Sequence, residues 1–198
     1  MVKSSSDLSS SSVSRASAAD WSFSSPQLSE SGKIVFVGHN EKPFRLGQIY
    51  CTNRASSIFT SDVEIFPKFE KIENPGYASN TPIFINETDF IYFRRDDWGP
   101  HADYHTIVKR SGESETELVQ QNLKMTKFDE SKCPGIFPVG KGSGDSGILV
   151  KSNSAFLTTK WLNRSAIVKI DLENGEITTV KADQNLSCKL TLYRVNYS

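Results

Sequence analysis

No apolar run in this 198-residue chain approaches the roughly 20 residues a membrane-spanning helix needs. The N-terminus carries polar serines where a signal peptide would carry its apolar segment. These two absences predict a soluble, cytoplasmic protein without a membrane partner. An excess of charge of one sign is also lacking: Lys and Arg together number 23 and so do Asp and Glu. Without a basic surplus there is no electrostatic footprint for nucleic acid or anionic lipid. Cysteine is scarce and histidine equally so. Cys51, Cys133 and Cys188 are widely spaced and odd in number, with no CxxC pair among them. That pattern argues against a disulfide framework and a zinc site, and reads as reduced structural thiols. Sequons at Asn86, Asn163, Asn185 and Asn196 matter only in a secreted chain, which the missing signal segment opposes. Helical periodicity is absent too. Residues 113 to 124 come nearest, yet Glu115 to Val119 reads as a strand leaving a turn.

Two textures are present. Residues 1 to 20 hold nine serines between Ser4 and Ser17 and almost no large apolar groups. Such a segment cannot bury enough surface to offset chain entropy and is expected to be a disordered tail. From 21 to 198 the chain is one domain of short β-rich runs: Lys33 to Val37, Phe90 to Phe93, Thr106 to Lys109, Ala166 to Ile170, Ile177 to Val180 and Lys189 to Tyr193. Turn chemistry separates them, as in Glu30-Ser-Gly32, Arg110-Ser-Gly-Glu113 and Asp171-Leu-Glu-Asn-Gly175. The fold class is all-β.

A repeat narrows the architecture. Ser25-Pro-Gln-Leu28, five residues, and Ile34-Val-Phe36 recur 56 positions later as Thr81-Pro-Ile-Phe84, five residues, and Phe90-Ile-Tyr92. A third copy is placed at Ile148-Leu-Val150 and Phe156-Leu-Thr158, with Pro138 offering a competing register. Each copy makes a strand, a polar turn and a second strand with neighbours on both faces. A second hairpin follows, clearest from Ala166 to Val180. Two hairpins make a four-stranded blade, so the expected architecture is a partial β-propeller of about three blades, with a β-sandwich as the competing arrangement.

The most specific strings are Phe36-Val-Gly-His-Asn-Glu-Lys-Pro-Phe-Arg-Leu-Gly47, Tyr50-Cys-Thr-Asn-Arg54 and Ser57-Ile-Phe59. Pro43 to Gly47 and Cys51 to Arg54, at this separation, resemble a stretch in the N-terminal β-propeller of acylaminoacyl-peptidases. The resemblance continues more weakly through Ser25 to Ser29, Gly135-Ile-Phe137, Arg164 to Asp171 and Gly175 to Thr178. It implies a serine peptidase of the prolyl oligopeptidase group, in which a propeller covers an α/β-hydrolase domain. That domain releases N-acylated residues from short peptides, and its serine sits in a G-x-S-x-G elbow. Nothing in this chain matches the elbow. The expectation is a fragment that supplies scaffold and substrate gating and is itself inactive, its partners being the rest of the propeller and the hydrolase domain. An arc of blades with two bare faces is also expected either to self-associate, to fold only in part, or to depend on the missing blades. A stand-alone β-rich interaction module is the alternative reading.

Other motifs are read more plainly. Gly144-Asp-Ser-Gly147, preceded by His39, resembles the nucleophile loop of chymotrypsin-like proteases and makes such a protease the remote alternative. Ile148 replaces the glycine expected next, however, and Gly140 to Gly147 suits a solvent loop. His101 and His105, among Asp96, Asp97 and Asp103, would be metal ligands only if they converged, which Gly99-Pro100 opposes; they read as a solvated loop. Arg94-Arg-Asp-Asp97 reads as a self-compensating charged loop, Trp98 and Trp161 as packing residues, and Arg45 and Arg54 as scaffold arginines that fix loops. No catalytic, cofactor-binding or metal-binding residue is assigned, and no cofactor is expected.

Overall fold

A computed structural model describes residues 20–41, 55–63, 68–97, 105–119, 135–137, 147–161 and 164–180. The serine-rich segment, Pro43 to Gly47, Cys51 to Arg54, all three cysteines, Trp98, His101, Ser146 and Lys189 to Tyr193 lie outside the described residues. Twelve strands are present among those described: β1 (Trp21–Leu28), β2 (Lys33–Asn40), β3 (Ser56–Asp62), β4 (Glu70–Lys71), β5 (Tyr77–Phe84), β6 (Phe90–Asp96), β7 (Thr106–Ser111), β8 (Ser114–Val119), β9 (Ile148–Lys151), β10 (Ser154–Trp161), β11 (Arg164–Asp171) and β12 (Ile177–Thr179). They form three separate four-stranded antiparallel sheets in sequence order, β1 to β4, β5 to β8 and β9 to β12. This is a partial β-propeller, each sheet one blade.

The second strand of each blade carries two sets of apolar residues because successive side chains point to opposite faces. In β6, Phe90 and Tyr92 join Val35, Val37, Ile58 and Ile72 of the first blade in one core. On the other face Ile91 and Phe93, with Ile107 and Val119, meet Ala155, Leu157, Val168 and Ile170 of the third blade. The middle blade is thus sandwiched. This explains the unbroken apolar run Phe90 to Phe93, since a strand buried on both faces has no polar side to alternate with. Burying each of those four side chains contributes about 1.5 to 3 kcal/mol.

The Ser-Pro and Thr-Pro dipeptides of the repeat have a backbone meaning. Ser25 (φ 52°) and Thr81 (φ 53°) are left-handed, and the pairing registers of β1 and β5 shift at the same place, between Ser24 and Gln27 and between Asn80 and Ile83. These are β-bulges on edge strands, where a proline without an N–H removes no ladder bond. The hairpin turns that follow touch: Ser31 Oγ donates to the Glu87 carbonyl at 3.1 Å.

The third copy falls on the expected strand, with Phe156 to Thr158 in β10, the counterpart of β2 and β6. Its residue register is shifted by one. In the first two blades three residues separate the last hairpin pair, Ser29 with Lys33 and Ile85 with Asp89. In the third only Ser152 (φ 47°) and Asn153 (φ 56°) lie between Lys151 and Ser154, which makes a type I′ turn. Ala155 and Leu157 therefore take the places of Phe90 and Tyr92, and Phe156 takes that of Ile91. A single residue in a turn exchanges the two faces of a strand.

A candidate functional end of the blades

The chain direction divides each blade into two ends. Tight turns lie at one end: β1 to β2, β5 to β6, β7 to β8, β9 to β10 and β11 to β12. They satisfy their own polar groups. Asn86 Oδ1 accepts the N–H groups of Thr88 and Asp89 at 2.9 and 2.8 Å, and Asp171 Oδ1 those of Glu173 and Asn174 at 2.8 and 3.1 Å. Burial pushes the Asp89 carboxyl up, but hydrogen bonds from Asn86, Ser111 and Thr88 outweigh it and hold the group below its ordinary value.

The opposite end is where the long connections attach: residues 41–55 between β2 and β3, 97–105 between β6 and β7, and 120–147 between the second and third blades. Both strings that carry the family resemblance fall in the first of these, and the His101 region in the second. Loops positioned by a rigid scaffold are where binding residues concentrate. The described strand ends there hold a set of polar groups at repeated positions. In the first blade Ser24 Oγ lies 3.2 Å from His39 Nε2. Their counterparts in the second blade are Asn80 and Arg95. Asn80 Nδ2 lies 3.4 Å from His105 Nε2, and Arg95, 7% exposed, donates from Nη1 to the Asp96 carbonyl at 3.4 Å.

A serine hydroxyl at 3.2 Å from an imidazole is within reach for proton transfer. The equivalent positions in the second blade, Asn80 and Arg95, are also polar but meet different partners, His105 and the Asp96 carbonyl, so the serine–imidazole contact belongs to the first blade alone among the described residues. Of the Gly-Asp-Ser-Gly motif only Gly147 is among the described residues; it leads into β9 of the third blade, whereas His39 lies in β2 of the first.

Three expectations about single residues change. His105 is buried, 5% exposed, with its ring 5.5 Å from that of Phe93 and its N–H donating to the Ile136 carbonyl at 2.8 Å. It is a packed residue at the head of β7 and not part of a solvated loop. Arg94, Arg95 and Asp96 are the last residues of strand β6 rather than a loop. Arg94 reaches across the sheet to Glu115 and Glu117 and lies over the Tyr77 ring at 4.6 Å, so its charge is balanced by β8 and not by Asp96 or Asp97. Among the described residues no three His, Cys, Asp or Glu side chains gather as a metal site. Gly135-Ile-Phe137, part of the weaker resemblance, has a role no periodicity signals. Ile136 is fully buried in the second core, Phe137 N–H donates to Thr159 Oγ1 at 2.9 Å, and Lys160 N–H donates to the Phe137 carbonyl at 3.2 Å. With its bridge to His105, the segment ties the second blade to the third at this end.

Tyr92, packed between the first two blades, accepts a hydrogen bond from Asn74 Nδ2 at 3.2 Å. Burial, and then the negative charge of Glu115, push its phenol up from 10.0 to about 12. A folded-state value above the unfolded one means the neutral phenol stabilises the fold. That contribution is whole below pH 10 and is lost as pH rises through 12. The loss is about 2 to 3 kcal/mol. Urea unfolding midpoints across this window should fall steeply for the natural chain and less for Tyr92→Phe, which loses about 1 kcal/mol at neutral pH with the Asn74 bond. Equal slopes would assign the alkaline loss to other groups.

No family model matches the chain. Among curated proteins it is similar to acylamino-acid-releasing enzymes. It is 26% identical over 154 residues to that of Rattus norvegicus, 25% over 154 to that of Homo sapiens and 26% over 158 to that of Sus scrofa. Each match covers 75% of this chain and 20% of the relative, so the matched region spans about a fifth of the relatives' length.

Proposed function

We propose that this chain is a propeller portion of an acylamino-acid-releasing enzyme, working in the cytoplasm, that supplies scaffold and limits access to a catalytic centre carried elsewhere in the protein. One observation carries the reading: similarity runs along 75% of the chain while covering 20% of each relative, and the described residues fold as three blades. A region that is a minor share of an enzyme and is built of propeller blades fits a scaffold better than a reaction centre. The end bearing the long connections is the face suited to meet the catalytic part, because loops there can vary while the blades stay fixed.

The test has two arms. The purified chain, given an N-acetylalanyl peptide, should release no acetylalanine above buffer, and Ser146→Ala should change nothing. Release that vanishes with a substitution in the chain would overturn the proposal. The transcript beyond Ser198 should continue into further blades and a G-x-S-x-G elbow; a stop codon there would favour a stand-alone interaction module.

A further inference from the structure

Among the described residues, two buried side-chain polar atoms have no hydrogen-bond partner: Ser22 Oγ of β1 and Ser79 Oγ of β5. Ser79 is fully buried, and Ser22 is a half-buried residue whose hydroxyl is covered. Strand pairing places both in one junction. Ser22 stands opposite His39, two residues past Val37, and Ser79 stands opposite Arg94, two residues past Tyr92. Paired residues, and residues two apart along a strand, share a face of the sheet. Val37 and Tyr92 belong to the core between the first and second blades, so the two hydroxyls face that junction, one from each side. β5 packs across β1, β2 and β3, which sets Ser79 against the face that holds Ser22. Both serines lie just past the apolar core, toward the end where the long connections attach.

Neighbouring polar groups are already engaged. Ser24 Oγ, on the same face as Ser22, lies 3.2 Å from His39 Nε2, and Arg94 is held by Glu115 and Glu117. A buried hydroxyl that stays unbonded forfeits the bonds it made to solvent, and such groups are rare in folded proteins. Two serines facing each other from sheets packed about 10 Å apart are too short to bond directly, whereas two bonds of about 2.8 Å through one small molecule fill the remaining gap.

We propose that the junction of the first and second blades holds one internal water, bonded to both Ser22 Oγ and Ser79 Oγ, that ties the two blades together at this end. The bulges after Ser24 and Asn80 interrupt the ladder just beyond both serines, and backbone groups freed there supply the further partners a buried water takes. At the same end the second junction is held by direct bonds, Phe137 N–H to Thr159 Oγ1 among them. The inference rests on the fold and not on the enzyme reading.

Thermal melts of the full chain test it by sign. With the water shared, Ser22→Ala and Ser79→Ala each leave it one partner short and should lower the melting temperature by about 2 to 4 °C. The double variant should lose less than the sum of the two, because the water is released only once. Were each hydroxyl unbonded, alanine would remove a dry polar group and the melting temperature would hold or rise. A crystal structure of the full chain should show a single density peak about 2.8 Å from both oxygens. Variants as stable as the natural chain or more so, strictly additive losses, a direct bond between the two serines, or another side chain at that position would each overturn the shared water.

Discussion

Gly175→Ala is expected to destabilise the chain by about 2 to 4 kcal/mol and to lower its melting temperature by about 5 to 15 °C. Two separate causes combine. Gly175 has φ +75°, a left-handed conformation that costs an ordinary residue about 1 to 2 kcal/mol. Its added methyl would also strike the carbonyl of Leu118 in β8, with the Leu118 carbonyl carbon only 2.9 Å away. That neighbour is backbone and cannot rotate aside. The turn after β11 is where the third blade grips the second: Lys109 Nζ donates to the Leu172 carbonyl at 3.1 Å, and Leu172 is fully buried in the shared core. Gly32 is the internal control. It is also left-handed, φ +84°, but an added methyl there would meet nothing within 4 Å, so Gly32→Ala should show the backbone strain alone. Thermal melts of the two variants separate the two contributions. Equal losses would mean that the close approach at Leu118 contributes nothing.

That grip is only half visible in the sequence. Asp171-Leu-Glu-Asn-Gly175 announces a turn, because Asn and Gly favour left-handed backbone and Asp can bond the N–H groups beyond it. Which blade the turn touches is a long-range fact that no local pattern carries. The same division holds elsewhere. The apolar run of β6 and the 56-residue repeat of Ser-Pro with Thr-Pro make the blades legible, since burial on both faces and a repeated bulge each leave a mark on composition. The register of the third blade is not legible. Its type I′ turn uses Ser152-Asn153 in place of the favoured Asn-Gly, so nothing in the string reveals a loop one residue shorter. His105 reads as a loop residue because Gly99-Pro100 advertises a loop, whereas its burial comes from Ile136, far along the chain. Arg94 misleads for a similar reason. The adjacent aspartates look like its partners, but Arg94 instead meets Glu115 and Glu117 of β8, two strands away in the sheet and far along the chain.

The largest loss is expected in the middle blade, and its distribution should depend on which face of β6 is cut. Phe93→Ala and Tyr92→Ala each remove a nearly fully buried ring, 3% and 1% exposed, and truncations of this kind cost about 3 to 5 kcal/mol. The two rings belong to different cores although they are adjacent in sequence. Tyr92→Ala opens the junction of the first and second blades, and Phe93→Ala that of the second and third. In a repeat fold stability is approximately a sum of terms for each unit and each interface, so weakening one interface should loosen mainly the terminal blade beyond it. Hydrogen exchange therefore distinguishes the two. Phe93→Ala should speed exchange most in β9 to β12, with β1 to β3 keeping more of their protection, and Tyr92→Ala should do the reverse. Acceleration of all three blades to the same extent by both variants would show instead that the blades unfold as one cooperative unit.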